Sequence, residues 1–322
     1  MVQRVVLLDS SGILHRMFHG YTNPRVAEVD GKSMDVAALY GYCNYLRTMV
    51  KNDDGIEYDE LVHVLDPDGG SHHRFSLFPE YKANRSATHP VLTAQKSLLK
   101  PILEALGHTV VRKHGVESDD VIASLARKYV EQGDEVLVIT SDKDLMQLVK
   151  DGEVVLARYA SPFPGAPQTH EFYFEADVEE KMGVRPDQVA DFLALVGDVS
   201  DNIPGVHKVG PATAARWLQE HGSLASLMMN ADKIKGAVGN NLREALPHLK
   251  LYRQLTGTLD IDVEIPQAPE TTAEKITWAR TILSCPDFWP DDINSDLRDN
   301  VPSQAPSQAP SQASAVTARP GL

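Results

Sequence analysis

The sequence has little cysteine. Its two cysteines, Cys43 and Cys285, stand far apart in a chain of 322 residues. There is no CxxC pair and no Cys/His spacing of the zinc-binding kind. A disulfide scaffold is excluded, and a reducing, cytoplasmic setting is the expectation. Long apolar runs are also missing. The opening stretch MVQRVVLLDSSG reaches a charged residue, Asp9, after a few apolar positions. It is too short for a signal peptide or a membrane span, so no membrane partner is expected.

Positive charge is scarce as well. The chain holds 31 Lys and Arg against 45 Asp and Glu, a formal net charge of −14. On the sum alone that counts against a nucleic-acid binder. The distribution matters more. Residues 257–300 hold ten acids and three bases, whereas residues 71–115 hold seven bases (Arg74, Lys82, Arg85, Lys96, Lys100, Arg112, Lys113) and two acids. A basic local face can bind phosphate on an acidic protein, although a solvated surface would read the same way.

What is present in quantity is ordinary globular material. The length suffices for a real core, in two domains or one with an appendage. Apolar runs at 5–8, 61–65, 135–140 and 153–157 read as buried strands. Amphipathic stretches at 33–51, 91–106 and 119–132 alternate with them. Together they predict an α/β fold with a mostly parallel central sheet flanked by helices. From about 186 the pattern turns helical: PDQVADFLALVGD opens on Pro186, and further short helices are expected at 223–230, 239–255 and 272–284. The expected division is therefore 1–185, a helical 186–290, and a tail over 291–322. Within that tail VPSQAPSQAPSQASAVTA is low-complexity sequence that cannot build a core.

Acids cluster where strands end. Asp9 follows the first strand, Asp66 the second, and Asp142 and Asp144 (in TSDKD) the third. In a parallel sheet those are the carboxyl ends, where ligands of open α/β folds bind. Glu117, Asp119 and Asp120 (in VESDD) open a helix, and Asp198 and Asp201 (in GDVSDN) follow one, three residues apart and able to point the same way. Each alone reads equally well as a turn former or helix cap. As a set they would repel one another and shift each other's pKa unless divalent cations lay among them. All-oxygen ligands suit Mg²⁺ or Mn²⁺, and the absence of His from the clusters disfavours zinc. A carboxylate-bound metal pair activates a water and stabilises the leaving oxygen in an in-line displacement at phosphorus.

Two further segments look built for phosphate. In YKANR, Lys82 and Arg85 are three apart and would share a helix face, with Tyr81 placed to stack on a base or to pack into the core. In NIPGVHKVGPATAARWL, Gly205 and Gly210 permit a hairpin before a helix whose first N–H groups could receive a duplex phosphate, with Lys208 adding charge.

LLDSSGILHR, VLDPDG, FPEYKANR, VESDDVIASLA, ITSDKDLMQLV and ALVGDVSDNIPGVHKVGPATA occur in that order. Together they resemble the 5′–3′ exonuclease and flap endonuclease family, known from the nuclease domain of bacterial DNA polymerase I and from stand-alone phage enzymes. The resemblance covers about residues 4–285. It implies a PIN-like nuclease core with a helical arch at about 71–100, followed by a helix-hairpin-helix domain. It implies metal ligands at Asp9, Asp66, Glu117, Asp119, Asp120, Asp142, Asp144, Asp198 and Asp201. Arg16, Lys82 and Arg85 would act near the scissile phosphate. DNA contacts are expected at Tyr81, Arg74, Gly205, Lys208, Gly210 and Thr213. Two or more Mg²⁺ and a K⁺ at the hairpin would be the cofactors, and the partner would be DNA with a free 5′ end, bound by a monomer in a bacterial or phage-infected cytoplasm.

The sequence departs from the family pattern at Ser10, Ser118 and Ser141, where Gly, Ala and Gly are usual. It departs again in the hairpin, where Lys208 replaces the first Gly and Ala212 the usual Lys. Two other readings remain open. One is a PIN-like ribonuclease, against which the hairpin and the basic segment speak. The other is a non-catalytic junction binder, against which the complete acid set speaks. A haloacid-dehalogenase phosphatase would need a second Asp where Ser11 stands.

Overall fold

The structure, a computed structural model, describes residues 2–21, 23–50, 56–159 and 169–283. The tail expected over 291–322 and the boundary at 290 lie outside the described residues.

Six strands form one sheet. In chain order they are β1 (Arg4–Asp9), β4 (Glu60–Leu65), β5 (Thr109–Arg112), β6 (Glu135–Ile139), β7 (Val154–Tyr159) and β8 (His170–Tyr173). Their spatial order is β5-β4-β1-β6-β7-β8, and only β8 runs antiparallel to its neighbour. A small antiparallel hairpin, β2 (Val26–Val29) with β3 (Lys32–Asp35), stands apart. The register sets Leu7 of β1 between Val62 of β4 and Val138 of β6.

Period-2 alternation sorts the sheet's side chains into two cores. Val5, Leu7, Val62, Val64, Val136, Val138 and Leu156 face one side and pack against α5 (Ser118–Gln132), α7 (Val189–Val196), α8 (Pro211–His221) and α10 (Gly236–Thr256). Val6, Leu8, Leu61, Leu65, Leu137 and Ile139 face the other, against α1 (Ser10–Gly20), α2 (Ala37–Val50), α4 (Pro90–Ala105) and α11 (Ala273–Ile282). The first core runs without a break from the sheet into the C-terminal helices. The segment joining α7 to α8 is thereby packed against the same core as the sheet.

The predicted strands and helices form, with four differences. Residues 33–51 are not helical throughout, because β3 occupies Lys32–Asp35 before α2 begins at Ala37. The strands β5 and β8 and the β2–β3 hairpin are four residues per strand, too short for an alternation signal. The segment 71–100 holds a six-residue helix, α3 (His72–Leu77), and the start of α4, joined by turns rather than continuous helix. The short helix α6 (Glu175–Met182) is the fourth, whereas α9 (Leu224–Met229) is the helix expected at 223–230.

Candidate active site

The carboxyl ends of β1, β4 and β6 lie side by side, and their loops carry the acids. Asp9 caps α1: one carboxylate oxygen accepts from the Gly12 N–H at 3.0 Å, and the other accepts from the Thr140 hydroxyl at 3.0 Å. A Cβ on Gly12 would run into that carboxylate, so glycine is required there. The backbone N–H of Asp66 donates to the Ser11 hydroxyl at 2.8 Å. Its carboxylate accepts from both the N–H and the hydroxyl of Ser118, at 3.2 and 2.8 Å. Asp142 accepts from the Asp144 N–H at 2.9 Å.

Two departures from the family pattern thus make polar contacts beside the site. Ser118 gives Asp66 a hydroxyl donor that alanine would lack. Ser10 joins a buried chain in which the Tyr42 hydroxyl lies 2.6 Å from Ser10 Oγ and 2.8 Å from His63 Nδ1, and His63 Nε2 lies 3.3 Å from His108 Nδ1. Burial pushes both imidazoles down, His108 to about 4, so this chain is neutral.

The acids divide into two kinds. Four are matched by cations. Asp120 takes a bidentate pair from Arg74 at 2.6 and 2.9 Å, and the Leu259 N–H adds a third bond. Glu117 accepts from Arg74 at 2.9 Å, Lys82 at 2.5 Å and the Tyr81 hydroxyl at 3.1 Å. Asp201 accepts from Arg85 at 2.6 Å and Tyr81 at 2.8 Å. Asp198 accepts from Lys143 at 2.8 Å and from Ser200; burial raises its pKa, but these bonds outweigh burial and lower it.

The other five, Asp9, Asp66, Asp119, Asp142 and Asp144, make no ion pair within 4 Å among the described residues. Burial, reinforced by Asp66, pushes Asp9 up to about 7. Burial, Asp142 and Asp198 push Asp144 up to about 8. Asp119 is raised well above the carboxylate range by burial and then by Asp142, Asp9 and Asp66. Asp142 is raised by burial and by Asp201. One Asp144 carboxylate oxygen is buried without any hydrogen-bond partner. Among the described residues, no three of these side chains stand close enough together to hold one ion as they are.

Three expectations need correcting. Arg74 does not face DNA. It is 4% exposed, and besides its carboxylates it donates to the Leu255 and Gly257 carbonyls, tying α3 to the end of α10. Asp120, its partner, accepts from Arg74 on both oxygens and from the Leu259 N–H on one of them. Tyr81 is 2% exposed in the first core and offers no face for stacking on a base. Lys82 and Arg85 do not share a helix face, because they lie in turns with Lys82 at φ 56°. They nevertheless converge on Asp201, Lys82 from 3.9 Å.

Of the remaining predicted residues, Lys208 and Gly210 are exposed, Arg16 and Thr213 half-buried and Gly205 buried. Arg16 of α1 sits over the Tyr159 ring at 5.0 Å and lines a cleft of about 610 Å³ with Asp9, Asp142, Lys143 and Asp198. In the hairpin Gly205, at φ 66°, abuts the backbone of Val196 and Gly197, so no side chain fits. Lys208 stands at φ 59°, a left-handed position that strains a non-glycine residue by roughly 1 kcal/mol. Gly210 precedes α8, and its carbonyl already accepts from the Thr213 and Ala214 N–H groups. Sequence reasoning gave no part to Thr140, Ser11 or Lys143, and only the Lys inside TSDKD carried a signal.

Acids gather at the carboxyl ends of this mostly parallel sheet, beside a hairpin and a basic turn. Family models cover the same stretch: residues 4–183 match the 5′-3′ exonuclease N-terminal resolvase-like domain, and residues 184–278 match the 5′-3′ exonuclease C-terminal SAM fold. The chain belongs to the 5′–3′ exonuclease family. It is 38% identical over 269 residues to DNA polymerase I of Mycobacterium tuberculosis, covering 83% of this chain and 28% of that protein. It is 35% identical over 279 residues to the thermostable DNA polymerase I of Thermus aquaticus, covering 85% of this chain and 31% of that one. The chain thus spans about three-tenths of these relatives. The fold matches the bacteriophage T5 flap endonuclease in complex with DNA and metal ions (TM-score 0.61, 19% identity, 92% of this chain and 99% of that one). It also matches the catalytic core of Rad2 with a DNA substrate (TM-score 0.56, 14% identity, 94% and 92%).

Proposed function

We propose that this chain is a structure-specific 5′ nuclease that hydrolyses DNA by two-metal-ion chemistry. It would act as a 5′–3′ exonuclease and flap endonuclease on DNA with a free 5′ end, in replication, repair or primer removal. The observation that carries this is the group of acids without cations at the strand ends. Buried carboxylates whose ionisation is suppressed mainly by burial and by one another are a ready receptor for divalent cations. Asp9, Asp66, Asp119, Asp142 and Asp144 would hold Mg²⁺ or Mn²⁺, with Glu117, Asp198 and Asp201 at the margin. Bound there, such ions would supply activation of water and charge stabilisation at the scissile phosphate.

The chain's own groups divide the remaining work. Thr140, Ser118 and the Asp144 N–H orient three of the carboxylates. Lys82 and Arg85, held by Glu117 and Asp201, stand ready to exchange those partners for a substrate phosphate. Arg16 reaches the same cleft from α1. The hairpin with Gly205, Lys208, Gly210 and Thr213 would hold duplex backbone, Lys208 by its ammonium. A potassium ion there fits poorly, since Lys208 brings its own charge and the His207 carbonyl already accepts from the Asn241 amide at 2.7 Å. Monomeric action in the cytoplasm belongs to the same proposal.

Cleavage-site mapping on a 5′ flap, a nicked duplex and a closed bubble tests it, with Mg²⁺ and with chelator. Cutting of the flap and the nick but not the bubble, abolished by chelator, is the expected result. Preference for single-stranded RNA, or flap binding without any cutting, would overturn it.

A further inference from the structure

The cleft that holds Asp9, Asp142 and Asp198 continues past them to two cations that the proposed reaction does not use, Arg158 and Lys181. Arg158 lies near the carboxyl end of β7. There Ala157, its neighbour in the strand, pairs with Ile139 of β6, and the Thr140 N–H donates to the Ala157 carbonyl. Arg158 is thus at the level of Thr140, two residues short of Asp142 and one strand over. Its side chain is exposed and makes no hydrogen bond or ion pair among the described residues, although the cleft it lines also holds Asp9 and Asp142, which lack an ion-pair partner; opposite it on β8 stands Glu171.

Lys181 comes from α6. Its ammonium donates to the Tyr173 hydroxyl at 2.6 Å and sits over that ring at 4.3 Å. The phenol in turn donates to Glu171 at 2.9 Å. Lys181 is therefore held by a neutral oxygen and makes no ion pair within 4 Å among the described residues, with Glu171 one hydroxyl further on.

Lys82 and Arg85 approach the acids through Glu117 and Asp201, from the α3–α4 segment. Arg158 and Lys181 approach from the opposite edge of the sheet, through β7 and α6. Cations on both flanks of an acid group, along one cleft, suit a polyanion lying across it. We infer that Arg158 and Lys181 form a second phosphate subsite, which holds the nucleic-acid strand one or two phosphates beyond the scissile bond, on the side away from Lys82 and Arg85. This rests on the nuclease reading above and adds to it a direction for the strand.

The test pairs protein variants with altered substrates. Flap substrates carry a single neutral methylphosphonate at each phosphate flanking the cleavage site in turn. They are cut by the wild type, by Arg158→Gln, and by the double variant Arg158→Ala/Lys181→Ala. In the wild type, one or two positions on one side should raise KM about tenfold, and the double variant should lose that position-specific sensitivity. The slope of log KM against log salt should fall by about one per cation removed. The loss should fall on KM more than on kcat. Arg158→Gln, at an exposed side chain without a hydrogen bond or ion pair among the described residues, keeps the test valid if the double variant folds poorly. Sensitivity to the same phosphates in all three proteins, with an unchanged salt slope, would overturn the subsite. A wild type that cuts no DNA would instead sink the nuclease reading, so the two failures are distinct.

Discussion

Two groups of carboxylates share one end of this sheet, and they are built in opposite ways. Asp120 and Glu117 are surrounded by Arg74, Lys82 and Tyr81. Asp9, Asp119, Asp142 and Asp144 face mainly one another. Asp120, Glu117 and Asp9 are buried and Asp119 and Asp144 half-buried, where an unpaired charge is costly, while Asp142 reaches the surface. The first repays that cost within the chain and ties α3, α5 and α10 together. The second leaves it unpaid, so its members hold protons or must await cations from outside. The difference separates the acids that build the framework from those available for chemistry, although all stood in the same motifs.

The largest expected effect lies in the second group. Asp142→Ala should slow cleavage by about a thousandfold or more while flap binding survives, because the lost carboxylate serves the reaction more than duplex docking. Unchanged turnover would move Asp142 into the framework. The matching test of the first group is Arg74→Met. It strands Asp120 and Glu117 without their buried partner, and a loss of about 3–5 kcal/mol in denaturant unfolding is expected. A stability close to wild type would show that the buried triad is not what holds α3 and α10. Lys82→Ala should fall between the two, cutting kcat by about a hundredfold with a smaller effect on DNA affinity. A pure affinity defect would reassign Lys82 to docking.

A smaller effect concerns pH. Asp9 and Asp144 have folded pKa values of about 7 and about 8 against an ordinary 3.8. The folded state therefore binds their protons more tightly than the unfolded state does. Their contribution to stability is fully present below the ordinary value and is lost as pH rises through about 7 to 8. In chelator the midpoint of urea unfolding should accordingly drop across that window. With Mg²⁺ the drop should shrink, and an identical pH profile in both conditions would contradict the assignment.

Much of this was legible in the sequence, for a physical reason. Apolar runs that end at or within three residues of an Asp mark the strand ends, so the sequence alone puts Asp9, Asp66 and Asp142 on one edge. The pairing of those acids was not legible. Arg74 meets Asp120 across 46 positions, and nothing local distinguishes an arginine aimed at a buried carboxylate from one aimed at DNA. Tyr81 was ambiguous for the same reason. Its ring is buried in the first core beside Phe75, while its hydroxyl reaches Glu117 and Asp201. Lys82 and Arg85 have helical spacing, yet the left-handed backbone at Lys82 breaks the helix and still brings both cations to one acid. In the hairpin, replacing Gly by Lys208 was visible, and the positive φ explains why glycine is usual there.

The most direct test of the division is thermal melting of Asp142→Asn beside the wild type, in chelator and in Mg²⁺. Asparagine keeps the oxygen that accepts the Asp144 N–H and removes the charge that repels Asp119 and Asp144. The account predicts a higher Tm than wild type in chelator and a smaller rise on adding Mg²⁺. A lower Tm in chelator with an undiminished Mg²⁺ response would contradict it.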